Sequence, residues 1–138
     1  MEYDLANCLV LNTRMAARAV TRRYEHQLRR HGITAAQFSL LASISADPER
    51  SITEIAERLA MDRTTASRNL DLLARKMLIE VSDDTGGNRR SVSLSDKGRH
   101  FVDIALPAWR AAQDELREIL GTDGFDQTIA MLQKLAKL

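Results

Sequence analysis

The sequence predicts a mainly α-helical fold with one small β-hairpin, and three observations predict it. Apolar residues recur at helical spacing over most of the chain. They switch to strict alternation only at Ile79–Ser82 and Ser91–Leu94. The segment between those runs, DDTGGNRR, supplies in Gly86-Gly87-Asn88 the positive-φ residues that a hairpin turn needs. With 138 residues the chain reads as a single domain, 1–138, long enough to bury a core.

From about Asp4 to Arg30, Leu5, Leu9, Met15, Ala16, Ala19, Val20 and Leu28 form a helix stripe, and Gly32 offers a left-handed stop. Thr34 with Gln37 makes a capping box and Ile33 with Phe38 a hydrophobic staple, so the next helix starts at Ala35. It runs to about Ala46 with Phe38, Leu41 and Ile44 inward, and Asp47-Pro48 ends it. Ser51-Ile52 has room for a very short strand. Thr53 is then the N-cap of a helix through Ala60, with Ile55, Ala56 and Leu59 inward. Asp62 caps a longer helix, Arg63 to Lys76, whose stripe Ala66, Leu70, Leu73 and Met77 follows i, i+4, i+7, i+11. Two helices at this spacing read as a helix-turn-helix.

After the hairpin, Ser95 caps a long helix, roughly Asp96 to Leu120, with Phe101, Ile104, Ala105, Ala108, Ala112, Leu116 and Ile119 along one side. Gly98 weakens its first turn, and Pro107 should kink it. Gly121 stops it, and a last helix turns Phe125, Ile129, Leu132 and Leu135 inward. The whole is a winged helix-turn-helix core, about 33–95, flanked by N- and C-terminal helices, about 4–31 and 96–138. The flanking stripes are broad for a monomer of this size. They predict a two-fold dimerisation region, the alternative being that they pack on their own core.

A helix entering the major groove presents the side chains of its N-terminal turns. Here these are Arg63, Thr64, Thr65, Ser67 and Arg68, compact polar groups and arginines suited to base edges and phosphates. Asp62 reduces the local positive field while leaving first-turn amides to face phosphate. Arg89 and Arg90 on the hairpin suit a narrow minor groove or the backbone, a solvated turn being the plain alternative.

Net charge is only +1, so nucleic-acid affinity must come from clustering. The single cysteine, Cys8, cannot form an intrachain disulfide, and no Cys/His spacing suggests a metal, so no cofactor is expected. No apolar run approaches the roughly 20 residues that span a bilayer. Glu2 and Asp4 stand where a secretory signal would be positive, which predicts a cytoplasmic protein without membrane contact. Gly86-Gly87 lacks the Lys-Ser/Thr of a phosphate loop, and His26, His31 and His100 lack catalytic partners, so no enzyme is expected.

The chain resembles the MarR-type winged-helix transcriptional regulators over nearly its whole length. The likeness is densest in GITAAQFSLLASI (Gly32–Ile44), SITEIAERLAMDRTTASRNLDLL (Ser51–Leu73) and NRRSVSLSDKGR (Asn88–Arg99). It implies a triangular homodimer whose recognition helices and wings read the half-sites of a pseudo-palindromic operator. It also implies repression relieved by a small aromatic or lipophilic anion in the crevice between the DNA-binding lobe and the dimer helices. The family pattern carries an acid where this chain has Asn88, and in some members the residue matching Asp62 ties to the one matching Arg90. One branch senses peroxide through a cysteine on the first helix. Cys8 falls about two positions earlier than that sensor, Tyr24 matches one of its tyrosine partners, and Arg14 replaces the other. A redox-switched regulator acting through Cys8 and a winged-helix module binding protein are the alternative functions. For Cys8 itself the plain alternative is a small residue packed at the dimer seam.

Overall fold

A computed structural model describes residues 4–48, 50–83 and 90–138. A short 3-10 turn, Leu5–Asn7, precedes α1 (Leu9–Leu28), and Cys8 stands between them with extended backbone. The chain then forms α2 (Ala35–Ala46), α3 (Ile52–Arg58), α4 (Arg63–Arg75), β1 (Ile79–Asp83), β2 (Arg90–Leu94), α5 (Asp96–Leu120) and α6 (Thr122–Ala136). The expected turn at Gly86-Gly87-Asn88, and Arg89 with it, lie outside the described residues.

Capping chemistry sets most helix starts. Thr34 and Gln37 exchange the two hydrogen bonds of the capping box, each 3.2 Å. Ser95 Oγ accepts from the Gly98 amide at 2.9 Å. The third helix is capped by Ser51 rather than Thr53: Ser51 Oγ accepts from the Glu54 amide at 3.1 Å, and Glu54 Oε1 accepts from the Ser51 hydroxyl at 3.0 Å. Ser51 wins because its backbone is already held against the hairpin by a bridge to Ser91, all that forms of the expected short strand.

The core lies among α2, α3, α4, the hairpin and the first half of α5, and Leu28, Leu40, Leu41, Ile44, Leu73 and Ala105 are fully buried in it. The hairpin is antiparallel, with Ile79 opposite Leu94 and Val81 opposite Val92. The segment before α3 extends it, since Arg50 O accepts from the Val92 amide at 3.1 Å. Met77, expected inward, is exposed. Helix α4 ends at Arg75, Met77 adopts a left-handed φ of 62°, and Leu78 takes the buried place. The α3–α4 turn also contains a left-handed residue, Ala60 at φ 50°.

Helices α1 and α5 pack side by side along a polar seam. The Tyr24 hydroxyl donates to Gln113 Oε1, and Gln27 donates to Glu115 Oε1 at 3.0 Å. Arg23 pairs with the same carboxylate at 3.4 Å. Burial raises the Tyr24 phenol above its ordinary value, opposed by the charge of Arg117. Helix α5 runs unbroken through Pro107, which is exposed. On α6 only Phe125 is buried, with the Arg117 guanidinium 4.4 Å from its ring centroid. Of the rest of the expected inward stripe, Leu135 is half-buried, while Ile129 and Leu132 face out of the single chain, as do Leu9, Met15 and Ile119.

Gly98 proves to be a docking point. A Cβ built there would lie 1.9 Å from the carbonyl oxygen of Leu78, itself bonded by the Ser95 amide at 3.1 Å. The start of α5 can sit on the α4–β1 junction only because this residue has no side chain. Gly98→Ala should therefore destabilise the fold by about 1–3 kcal/mol or more in urea unfolding, since backbone must move to admit the methyl group. Thr34→Ala should cost about 1 kcal/mol in the same assay by uncapping α2.

Candidate nucleic-acid interface

Helix α4 owes its outward polar face to its inward one. Ala66, Leu70 and Leu73 anchor it in the core, leaving Arg63, Thr64 and Arg68 exposed and Ser67 half-buried. Its start is set by Asp62, whose carboxylate accepts from the Thr65 amide at 2.8 Å and from the Thr65 hydroxyl at 2.7 Å. These bonds, with lesser help from the Thr64 amide and the charge of Arg68, hold the Asp62 carboxyl below the usual range. Two expectations change. The first-turn amides of Thr64 and Thr65 face the Asp62 carboxylate instead of standing open to phosphate, and the Thr65 side chain serves the cap. Arg63, Thr64, Ser67 and Arg68 remain along an open groove that ends at Asp71.

The base of the wing comes to the same place. Arg90 shares a cleft of about 510 Å³ with Arg63 and Ser67 of α4 and with Ser51, Glu54 and Glu57 of the α3 region. The register explains this: Arg90 lies opposite Asp83 at the outer end of the paired strands, and Ser91 is bridged to Ser51 at the start of α3. A duplex phosphate entering here would meet two guanidinium groups and the Ser67 hydroxyl, opposed by the Glu54 and Glu57 carboxylates of the same lining. Glu54 was not among the expected residues, although Ser51-x-x-Glu54 is itself a capping-box spacing.

Away from this face, an apolar cleft of about 610 Å³ opens between α2 and α5, lined by Phe38, Ala42, Leu59, Val102, Leu106 and Trp109. A smaller cavity of about 300 Å³, between α1 and α2, shares Trp109 and Phe38 with it. Cys8 lies far along the chain from both linings, half-buried at the N-cap of α1. Arg22, Arg23 and His26 of α1 gather beside Glu115 within one chain. No helix of the described residues is long and apolar enough to cross a membrane.

The comparisons with known proteins agree with this geometry. The sequence pattern of the MarR family matches residues 31–91, which span α2 through most of the hairpin. No curated protein sequence matches the chain. Among solved structures, the M. tuberculosis transcriptional regulator MosR in complex with DNA is 32% identical, with a TM-score of 0.86 and 95% of each chain covered. The transcriptional repressor CouR bound to a 23-mer DNA duplex is 29% identical, with a TM-score of 0.87 and 99% of each chain covered. CouR bound to p-coumaroyl-CoA superposes with a TM-score of 0.86 at 29% identity, covering 99% of this chain and 96% of that one. With its helix pair, hairpin wing and flanking helices, this chain belongs to the MarR family of DNA-binding transcriptional regulators.

Proposed function

We propose that the protein is a homodimeric, sequence-specific repressor that acts in the cytoplasm on double-stranded DNA and is released by a small aromatic or lipophilic anion. The observation that carries this reading is the convergence of Arg63, Ser67 and Arg90 in one cleft, which joins the recognition helix to the wing. In this reading Arg63, Thr64, Ser67 and Arg68 contact bases and phosphates in the major groove, while Arg90, with Arg89 beyond it, takes the backbone or minor groove. Asp62 and Asn88 position these groups. The spread of the site over two elements is what a duplex, with its paired grooves, requires.

Homodimerisation is supported by the apolar residues that α1 and the C-terminal helices leave exposed, among them Leu9, Met15, Ile119 and Leu132. Large apolar residues left exposed on the terminal helices are covered when two copies meet about a two-fold axis. The effector is supported by the α2–α5 cleft, whose apolar walls suit a flat lipophilic guest. The neighbour CouR was solved with p-coumaroyl-CoA, an acyl thioester with an aromatic end.

Three measurements test the reading. Arg68→Ala should weaken binding to a duplex selected in vitro by about 1–3 kcal/mol and relax base preference, whereas Arg90→Ala should weaken selected and random duplexes alike. Arg90→Ala should also flatten the dependence of log affinity on log salt by about one unit of slope. If the wild-type chain holds the selected duplex no more tightly than random DNA, it is not a specific repressor. Placing glutamate at Ile119 and Leu132 together should convert the dimer to monomer in sedimentation and abolish binding to the full pseudo-palindrome while leaving the helical fold intact.

A further inference from the structure

The apolar cleft is not electrically neutral at its rim. Arg58, the last residue of α3, lines it together with Trp109. The same guanidinium reaches across to Asp47, the residue that ends α2, with Nη1 3.4 Å from Oδ2. Asp47 is shared: its Oδ2 also accepts from Arg50 Nε. Arg50 in turn carries the carbonyl that pairs with Val92 of the wing, and its Nη1 lies 3.8 Å from Glu54. The Asp47 carboxyl is held below its usual range, first by the hydrogen bond from Arg50 and further by the charges of Arg50 and Arg58.

We infer that Arg58 reads the charge of a guest in the α2–α5 cleft, and that an anionic guest frees α3 from α2 by competing with Asp47 for this arginine. The inference rests on the effector reading above and deepens it to a ligand charge, a residue and a route. Three observations support it. The pair is partly exposed (49% for the Arg58 side chain, 36% for Asp47), so a guest carboxylate can replace Asp47 as the partner of Arg58 at little cost. Ser39 and Ser45, exposed residues of the same lining, carry hydroxyls that offer the guest a second polar contact. Asp103, on the α5 side of the lining, repels a carboxylate and leaves the Arg58 end as its seat.

The route follows from position. Arg58 stands at the end of α3, directly before the turn through Ala60 that leads to the Asp62 cap of α4. Its tie to Asp47 fixes that end of α3 on α2, while the Ser51–Ser91 bridge fixes the other end on the wing. Losing the Asp47 tie lets the turn, and with it α4, shift relative to Arg90. Because the coupling is reciprocal, whatever weakens the Asp47–Arg58 pair must favour the guest and disfavour DNA together.

The test uses the full chain, with 3-phenylpropionate as probe and its uncharged amide as control. The single tryptophan, Trp109, reports binding by fluorescence without DNA. Wild type should bind the acid about ten-fold more tightly than the amide, as expected for a charge-assisted contact. Arg58→Gln should bring the two within about two-fold, and Arg58→Lys should restore most of the preference. Asp47→Asn should bind the acid several-fold more tightly and a selected duplex several-fold more weakly. The inference is overturned if wild type binds the acid no better than the amide, if Arg58→Gln keeps the preference, or if Asp47→Asn leaves acid affinity unchanged. Failure of wild type to prefer the selected duplex would instead remove the repressor reading, while the acid and amide titrations would still decide the cleft.

Discussion

Everything else in the lobe depends on α2 being buried around most of its circumference, with only the Ser39, Ser45 and Ala46 side left open. Phe38, Leu40, Leu41 and Ile44 point in different directions around the helix, yet each is at most 3% exposed. Apolar residues that point in several directions need cover on several sides. Here the cover is α1, α3, α4, the second strand and α5, all of which contact α2. The single polar residue buried on it, Gln37, is consumed by the capping box with Thr34. Since α3, α4 and the wing rest on one post, their mutual arrangement is the arrangement of their contacts with α2, and the DNA-facing surface inherits its shape from there.

How much of this could be read in the sequence depended on how local the chemistry was. The limits of α2 and α5 follow from Thr34–Gln37 and from Ser95, because a cap is a bargain between neighbours that needs no knowledge of the fold. Asp62 likewise marked the start of α4, and its contact with the Thr65 hydroxyl only sharpened that role. The stretch SITE, by contrast, holds two plausible caps, and the choice of Ser51 over Thr53 was made by a strand some 40 residues later in the chain. Met77 continued a helical stripe perfectly well on paper. The helix had already ended, and a methionine in a left-handed conformation carries no sequence signature. Of the interface, the α4 face was legible as a list of side chains. Its meeting with Arg90 required the hairpin register, and the link from Asp47 to Arg58 required the packing of α3 on α2.

The long fifth helix joins what the outward-facing residues divide. Its first turn is seated on the junction of α4 and β1 through the bare backbone of Gly98, and its second half is bound to α1 by Tyr24–Gln113 and Gln27–Glu115. Its last turns carry Ile119 and Leu120 to the surface. One continuous element therefore spans the DNA-reading lobe and the apolar terminal region. A change of pitch or tilt at either end is transmitted as a lever arm, with little in between to absorb it.

The recognition helix is bracketed by Ala60 and Met77, both in left-handed backbone conformations that cost a residue with a β-carbon about 1–2 kcal/mol relative to its preferred geometry. Neither position carries the glycine that would make the turn spontaneous. The angle between α3 and α4 is thus imposed by surroundings and is not an intrinsic property of residues 51–77. Cut away from α2 and the hairpin, that segment would have every local reason to relax, so the reading head exists only as part of the whole lobe.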